Sequence, residues 1–237
     1  MVKKIDFKTL YTSDRVWLKS RYHFSFAEYF DPNNVSYGVL KVLNDDIVQP
    51  NSGFGEHPHK NMEIFSYVVD GELTHGDSLG NQETLRRGGV QYMSAASGIW
   101  HSEMNEHTAK PVRFIQVWIK PKRFNLNPEY DLLHIDKKER EDRWLHILGD
   151  EGSSARINIR QDANIYVSEL GAGKELKMPL AKERQLYLKV MEGNAQLNDT
   201  PLRHGDAAIV EDEDLRILAN SNAHLMAIEM AQAPQTF

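Results

Sequence analysis

Two short motifs constrain this chain more than anything else in it. They are His57-Pro58-His59 and, about forty residues on, His101-Ser102-Glu103. In an extended strand, residues two apart point to the same face. Each motif therefore offers two metal-binding side chains to one side of a sheet. If the two strands lie together in a closed barrel, three imidazoles and one carboxylate converge on one interior point. Three nitrogens and one oxygen suit Fe, Mn, Ni, Cu or Zn, and suit Mg or Ca poorly. A one-residue slip would turn a pair to the outside, but two independent pairs would both have to slip. The pattern predicts a metalloprotein built on a β-barrel.

The rest of the chain has the matching texture. Ile64 to Val69 is rich in β-branched and aromatic residues, and Asp70-Gly71 closes it like a hairpin. Leu79-Gly80-Asn81 and Arg87-Gly88-Gly89 mark further turns at short intervals. Arg113 to Lys120 is apolar on both sides and reads as a buried strand. The texture recurs in a second half: a strand at Arg184 to Val190, turns at Glu192-Gly193-Asn194, Asn198-Asp199 and Gly205-Asp206, then two strands around Asn220-Ser221-Asn222. Such repetition suggests a duplicated barrel, the first over residues 1–130 and the second over 131–237. The polar stretch Lys122 to Arg143 is expected to link them. Its mixed-sign run Lys137 to Arg143 reads as a solvated connector.

Composition excludes some functions. A net charge of -6 and a pI near 5.9 argue against binding nucleic acid through its phosphates. The chain has no cysteine, which removes disulfides and thiolate ligands and fits a reducing compartment. No apolar stretch follows Lys3-Lys4, and none approaches the roughly 20 residues that span a bilayer. A soluble, cytoplasmic protein without a membrane partner is expected. Arg21 to Pro32 is unusually aromatic; its rings are expected mainly in the core, the alternative being that one or two line a pocket.

The segments Gly55-Glu56-His57-Pro58-His59-Lys60-Asn61-Met62-Glu63 and Ser94-Ala95-Ala96-Ser97-Gly98-Ile99-Trp100-His101-Ser102-Glu103 resemble the two motifs of the cupins. The wording His-Pro-His, with a later Gly-Ile-x-His-Ser-Glu, resembles the pirin family, and within it the bacterial quercetinase-type pirin-like proteins. Phe24-Ser25-Phe26, Tyr29-Phe30-Asp31-Pro32, Val42 to Asp46 and Gly53-Phe54-Gly55 add to the likeness. It is specific over residues 15 to 120 and only textural beyond about 140. Ala96 departs from the cupin pattern, which usually has proline there, and Gly89 sits one residue out of register.

The resemblance implies an all-β bicupin, two jelly-roll barrels packed together, with the metal in the first only. It implies His57, His59, His101 and Glu103 as the ligands of one divalent transition metal. Fe(II) is the first candidate, with Mn, Ni, Cu, Co or Zn as alternatives. Glu63, a ligand in ordinary cupins, is expected instead to orient a ligating histidine. Phe54, Met62, Phe65, Met93 and Trp100 are expected to wall the pocket. His75 is expected on a strand where it could face that pocket; His23, His107, His134, His146, His204 and His224 are expected at the surface or core edge.

The resemblance also implies the reaction: quercetin 2,3-dioxygenase activity, which opens the heterocyclic ring of a flavonol with O2 and releases carbon monoxide. Glu103 would double as the catalytic base. The partners are then a small aromatic substrate and O2, acting on a monomer. Two alternatives stand beside this: a metal-containing regulatory protein working through a protein partner, and another cupin enzyme with a different substrate. In the second half, Gln185 to Val190 and Leu225 to Ile228 are read as the places where motifs would fall. Neither carries a ligand set, and His204 is read as part of a turn.

Overall fold

A computed structural model describes residues 1–232 and consists almost wholly of strands. The chain opens with β1 (Val2–Ile5) and a 3-10 turn at Phe7–Thr9. There follow β2 (Tyr11–Asp14), β3 (Leu18–Tyr22), β4 (Leu40–Val48), β5 (Ser52–His59), β6 (Glu63–Asp70), β7 (Glu72–Asp77), β8 (Gln82–Arg86), β9 (Val90–Ser94), β10 (Ile99–Asn105), β11 (Val112–Ile119) and β12 (Glu129–Leu133). After a single-turn helix, α1 (Lys137–Arg140), come β13 (Leu145–Asp150), β14 (Ile157–Ile159), β15 (Ala163–Leu170), β16 (Glu175–Met178), β17 (Arg184–Glu192), β18 (Ala195–Leu197), β19 (Thr200–Leu202), β20 (Ala207–Glu211), β21 (Leu215–Ala219) and β22 (Ala223–Ala231).

Two compact units result. The unit Leu10–Ile135 has a seven-stranded sheet, in the order β12-β9-β6-β11-β4-β3-β2, and a four-stranded sheet, β5-β10-β7-β8. The other unit repeats the plan, with β1-β20-β17-β22-β15-β13-β14 and β16-β21-β18-β19. The chain adopts the all-β duplicated barrel expected from the turn spacing, which the resemblance to the cupins implied as a bicupin.

Several details differ from the sequence expectation. The division falls after Ile135, five residues beyond the expected 130, and Met1–Thr9 goes with the later unit. The reason is a long-range pairing: β1 runs antiparallel to β20, Val2 opposite Val210. The expected linker is partly structured, because β12 pairs with β9 as an edge strand of the first unit. Within the mixed-charge run, Arg140 is buried and bonds Glu169 at 2.8 Å, so that run is not wholly solvated. Asp70-Gly71 does not close a hairpin either. β6 pairs with β9 and β11, whereas β7 pairs with β8 and β10, so the turn carries the chain from one sheet to the other. Gly71 is required there, having a φ of +84° and leaving no room for a Cβ against the Pro111 carbonyl at 2.6 Å.

The interior of the first unit is layered. Leu18, Val48, Val68, Leu73, Leu85, Val112 and Phe114 form one apolar cluster, and Ile64, Met93, Ala95 and Ile99 form another. Polar side chains also lie in the interior. Gln91, Ser66, Gln116 and Asn44 stand in direct register across β9, β6, β11 and β4, all buried. A polar row inside a barrel costs desolvation energy unless something there uses it. The second unit has a large apolar cluster, which includes Leu176, Met178, Leu215, Ile217 and Ala219.

Candidate metal centre

The two motifs lie on adjacent antiparallel strands of the four-stranded sheet. Across β10 and β5, His101 stands opposite His57, and Ile99 opposite His59. A β-bulge between His101 and Glu103 then shifts the register, so that Glu103 faces Phe54. At this point the strands pass very close. A Cβ on Gly53 would lie 2.3 Å from the Glu103 carbonyl oxygen and 2.7 Å from Met104 Cα, so the approach requires glycine. The loop before β10 is equally specific. Ala96 has a φ of +40°, which the proline usual at that motif position cannot adopt.

The three imidazoles come together as the spacing predicts. One ring nitrogen from each of His57, His59 and His101 lies within 4.8 Å of the others. The ring centroids are separated by 4.5 Å (His57–His101), 4.7 Å (His57–His59) and 4.8 Å (His59–His101). His57 Nδ1 lies 2.7 Å from the Gly55 carbonyl oxygen. A carbonyl only accepts, so Nδ1 carries the proton and Nε2 keeps its lone pair.

Electrostatics keep two of the three imidazoles uncharged. Burial, and then the neighbouring His57, His59 and His75, push the pKa of His101 down to about 2. Burial and His57 push that of His59 down to about 4. Both nitrogens of His101 are buried with no hydrogen-bond partner among the described residues. A buried imidazole such as His101 with no hydrogen-bond partner is costly in a core, and three converging imidazole nitrogens suit a transition metal, so the donor chemistry fits the ion the motifs imply.

Glu103 is fully buried on the same inner face but is held from the opposite sheet. It accepts from Ser66 Oγ at 2.5 Å and from Gln116 Nε2 at 2.6 Å. Burial raises its carboxyl to about 7, while those two bonds pull the other way. Its oxygens are not in the compact group formed by the three imidazoles. Glu63 is buried on β6 and accepts from the Tyr92 hydroxyl and from Ser94 Oγ at 2.7 Å.

The expected pocket wall is part right. Met62 and Met93 belong to the apolar cluster beside the site, and the Phe54 ring lies 6.4 Å from that of His57. Trp100 does not contribute: next to His101 on an alternating strand, it points outward and is 49% exposed. Phe65 is on the opposite face of β6 from Ser66 and likewise points away. The side chain missed is Trp118, whose ring packs edge-on against His59 at 4.7 Å and against Phe26 at 5.4 Å. The alternation of β11 contained that signal, since Trp118 shares the parity of Gln116. Of the aromatic run at residues 21–32, Tyr22 and Phe24 are buried, Phe30 is exposed, and Phe26 reaches the site through Trp118.

In the second unit the equivalents of β5 and β10 are β16 and β21 by sheet order. The segments expected to carry its motifs, at 185–190 and 225–228, lie on β17 and β22 in the larger sheet. On β16 and β21 the inward positions are Leu176, Met178, Leu215, Ile217 and Ala219. None of these side chains offers an imidazole or carboxylate donor. His204 lies in a turn, as expected.

Comparison with known proteins agrees along the whole chain. Residues 6–119 match the family model described as Pirin, and residues 146–230 match that of the quercetinase C-terminal cupin domain. A pirin-like protein of Caulobacter vibrioides is 39% identical over 233 residues, 98% of this chain and 100% of the relative. Quercetin 2,3-dioxygenase of Escherichia coli K12 is 33% identical over 215 residues, 90% of this chain and 92% of the relative. Among solved structures, the bacterial pirin YhhW of Escherichia coli in complex with nickel(II) superposes with a TM-score of 0.92 at 29% identity, covering 98% of this chain and 100% of that one.

Proposed function

The chain belongs to the pirin family, and on that premise we propose that it is a metal-dependent dioxygenase that opens the heterocyclic ring of a flavonol such as quercetin. The observation that carries the reading is the triad of converging imidazoles with a buried carboxylate on the same inner face. A transition metal bound there supplies Lewis acidity toward a substrate hydroxyl and a redox path to O2. His57, His59 and His101 would hold it through lone-pair nitrogens, and Glu103 would complete the set.

Glu103 has a second task in this reading. With a pKa of about 7 it accepts the proton that the flavonol hydroxyl gives up, while Ser66 and Gln116 fix its orientation. Trp118, Met62 and Phe26 offer apolar surface to a flat ring and keep water from it. Fe(II) is the metal of choice for O2 chemistry, and the nickel(II) complex of the YhhW relative fits the same donors. No helix among the described residues is long and apolar enough to cross a membrane. We place the enzyme in the cytoplasm as a monomer, with a small aromatic substrate and O2 as partners.

The test is metal content by mass spectrometry, paired with oxygen uptake on quercetin after anaerobic Fe(II) loading. About one metal per chain with metal-dependent uptake is the expected result. Stoichiometric metal without uptake would overturn the flavonol assignment and bring forward the regulatory alternative.

A further inference from the structure

One buried imidazole beside the triad has no role in the scheme above. His75 lies on β7, directly opposite Glu103 of β10, and Asp77 lies directly opposite His101. Directly paired residues share a sheet face, so His75 and Asp77 point inward with the metal-site side chains. Both side chains are fully buried. The His75 ring centroid is 5.5 Å from that of His101, and the ring stacks on Tyr130 at 4.7 Å and 14°.

Its two nitrogens differ. His75 Nε2 lies 3.2 Å from Asp77 Oδ2. Asp77 is itself tightly held, accepting from Asn81 Nδ2 at 2.8 Å and from the Leu79 and Asn81 backbone amides at 2.9 and 3.1 Å. These N–H donors, aimed at both carboxylate oxygens, hold Asp77 as an acceptor. An ionised carboxylate only accepts, so Nε2 carries the proton. Nδ1 is then left with a lone pair, buried and unpartnered among the described residues; the hydroxyl of the stacked Tyr130 is unpartnered too. Hydrogen bonds from Leu79 and Asn81 and a ring stack hold this imidazole and its carboxylate in one orientation, and a buried acceptor without a donor is costly.

We propose that His75 Nδ1 is the hydrogen-bond acceptor for an O–H group held beside the imidazole triad, either the hydroxyl of the substrate or a water in its place. His75 is thus a positioning residue for the ligand that the metal site takes up. The proposal rests on the reading that the triad holds a metal and receives a hydroxyl-bearing substrate. Asp77 serves it indirectly, by fixing which nitrogen carries the proton.

The test uses the full chain, loaded with Zn(II) and kept free of O2, with 15N-labelled histidine. The His75 signals are assigned from His75→Asn, which retains a polar group near the Nδ1 position. Expected is an Nδ1 shift typical of a hydrogen-bonded acceptor that moves when 3-hydroxyflavone is added. An Nδ1 with a free-lone-pair shift, with and without the probe, would overturn the proposal whatever oxygen uptake shows.

A second arm sorts the two donors. His75→Phe keeps the stack on Tyr130 and removes both nitrogens. If the donor is the substrate hydroxyl, 3-hydroxyflavone binds about tenfold more weakly to His75→Phe, flavone binds as before, and His75→Asn recovers most of the loss. An unchanged ratio, with the Nδ1 signal still hydrogen-bonded, assigns the donor as water and counts against the flavonol reading alone. Loss of the metal from both variants would overturn the proposal, because His75 would then be part of the metal's own support.

Discussion

Gln116 reaches from one sheet of the first barrel to the other and donates its Nε2–H to Glu103 Oε2 at 2.6 Å. The bond fixes a carboxylate that has no other purpose in an apolar core, and it opposes the upward pull of burial on the Glu103 carboxyl. Gln116→Leu removes it. The carboxyl then rises further above about 7, and at neutral pH a larger share is protonated and unable to bind metal. Metal affinity at pH 7 should fall by about 10- to 100-fold, as is usual when a residue orienting a ligand is lost. Competition with a chromophoric chelator measures this, and the deficit should shrink at pH 8.5. An affinity equal to that of the parent at both values would separate Gln116 from the site.

His101→Ala removes the most deeply buried nitrogen donor and should take metal content from about one per chain to near zero. Glu103→Ala should abolish oxygen uptake on quercetin even where some metal is retained, since both ligand and base are lost. Full turnover by either variant, in protein checked for metal, contradicts the assigned roles.

Removing the metal should leave the fold standing. The apolar clusters described above contain none of the four proposed ligand residues, so chelation should preserve the far-UV circular dichroism spectrum. The stability lost should be no more than the linkage value, about 4 kcal/mol when free metal is a thousandfold above its dissociation constant. Wholesale unfolding on chelation would mean that the metal is structural.

Asp46 gives the protein a pH dependence of unusual sign. Burial pushes its carboxyl up to about 8, with Asp45 and Glu103 adding to the rise and a bond from Ser20 opposing it. Its ordinary value is 3.8. A folded value raised in this way gives a contribution that is whole below about 3.8 and is lost as pH rises through about 8. His101 and His59 work in the opposite direction, having been pushed down to about 2 and about 4. Asp46→Asn isolates the first effect. Relative to the parent, the variant should gain thermal stability between pH 5 and pH 8.5. A difference between the two proteins that does not change with pH would refute this account.

What could be read from the sequence divides along physical lines. The strand period of two placed His57, His59, His101 and Glu103 on one inner face without any knowledge of the fold. It could not place Glu103 relative to the triad, because the bulge after His101 and the grip of Ser66 and Gln116 depend on strands remote in sequence. Trp100 was expected in the pocket because it adjoins a ligand, yet alternation sends it outward. Trp118 was hidden in a strand apolar on both faces. Within the second half, turn spacing revealed a barrel, but only sheet order identifies β16 and β21 as the counterparts of the ligand strands. The place of β1 was illegible for a simpler reason: four residues carry too little pattern to name a partner some two hundred positions away.

That last pairing sets an order of events during synthesis. Val2 has to wait for Val210 before its ladder can form. At about 5–20 residues per second the interval is roughly 10–40 s. All strands of Leu10–Ile135 have left the ribosome well before then. The barrel that carries the imidazoles can therefore close, and capture its metal, while the opening strand of the chain is still unpaired and its partner is not yet made.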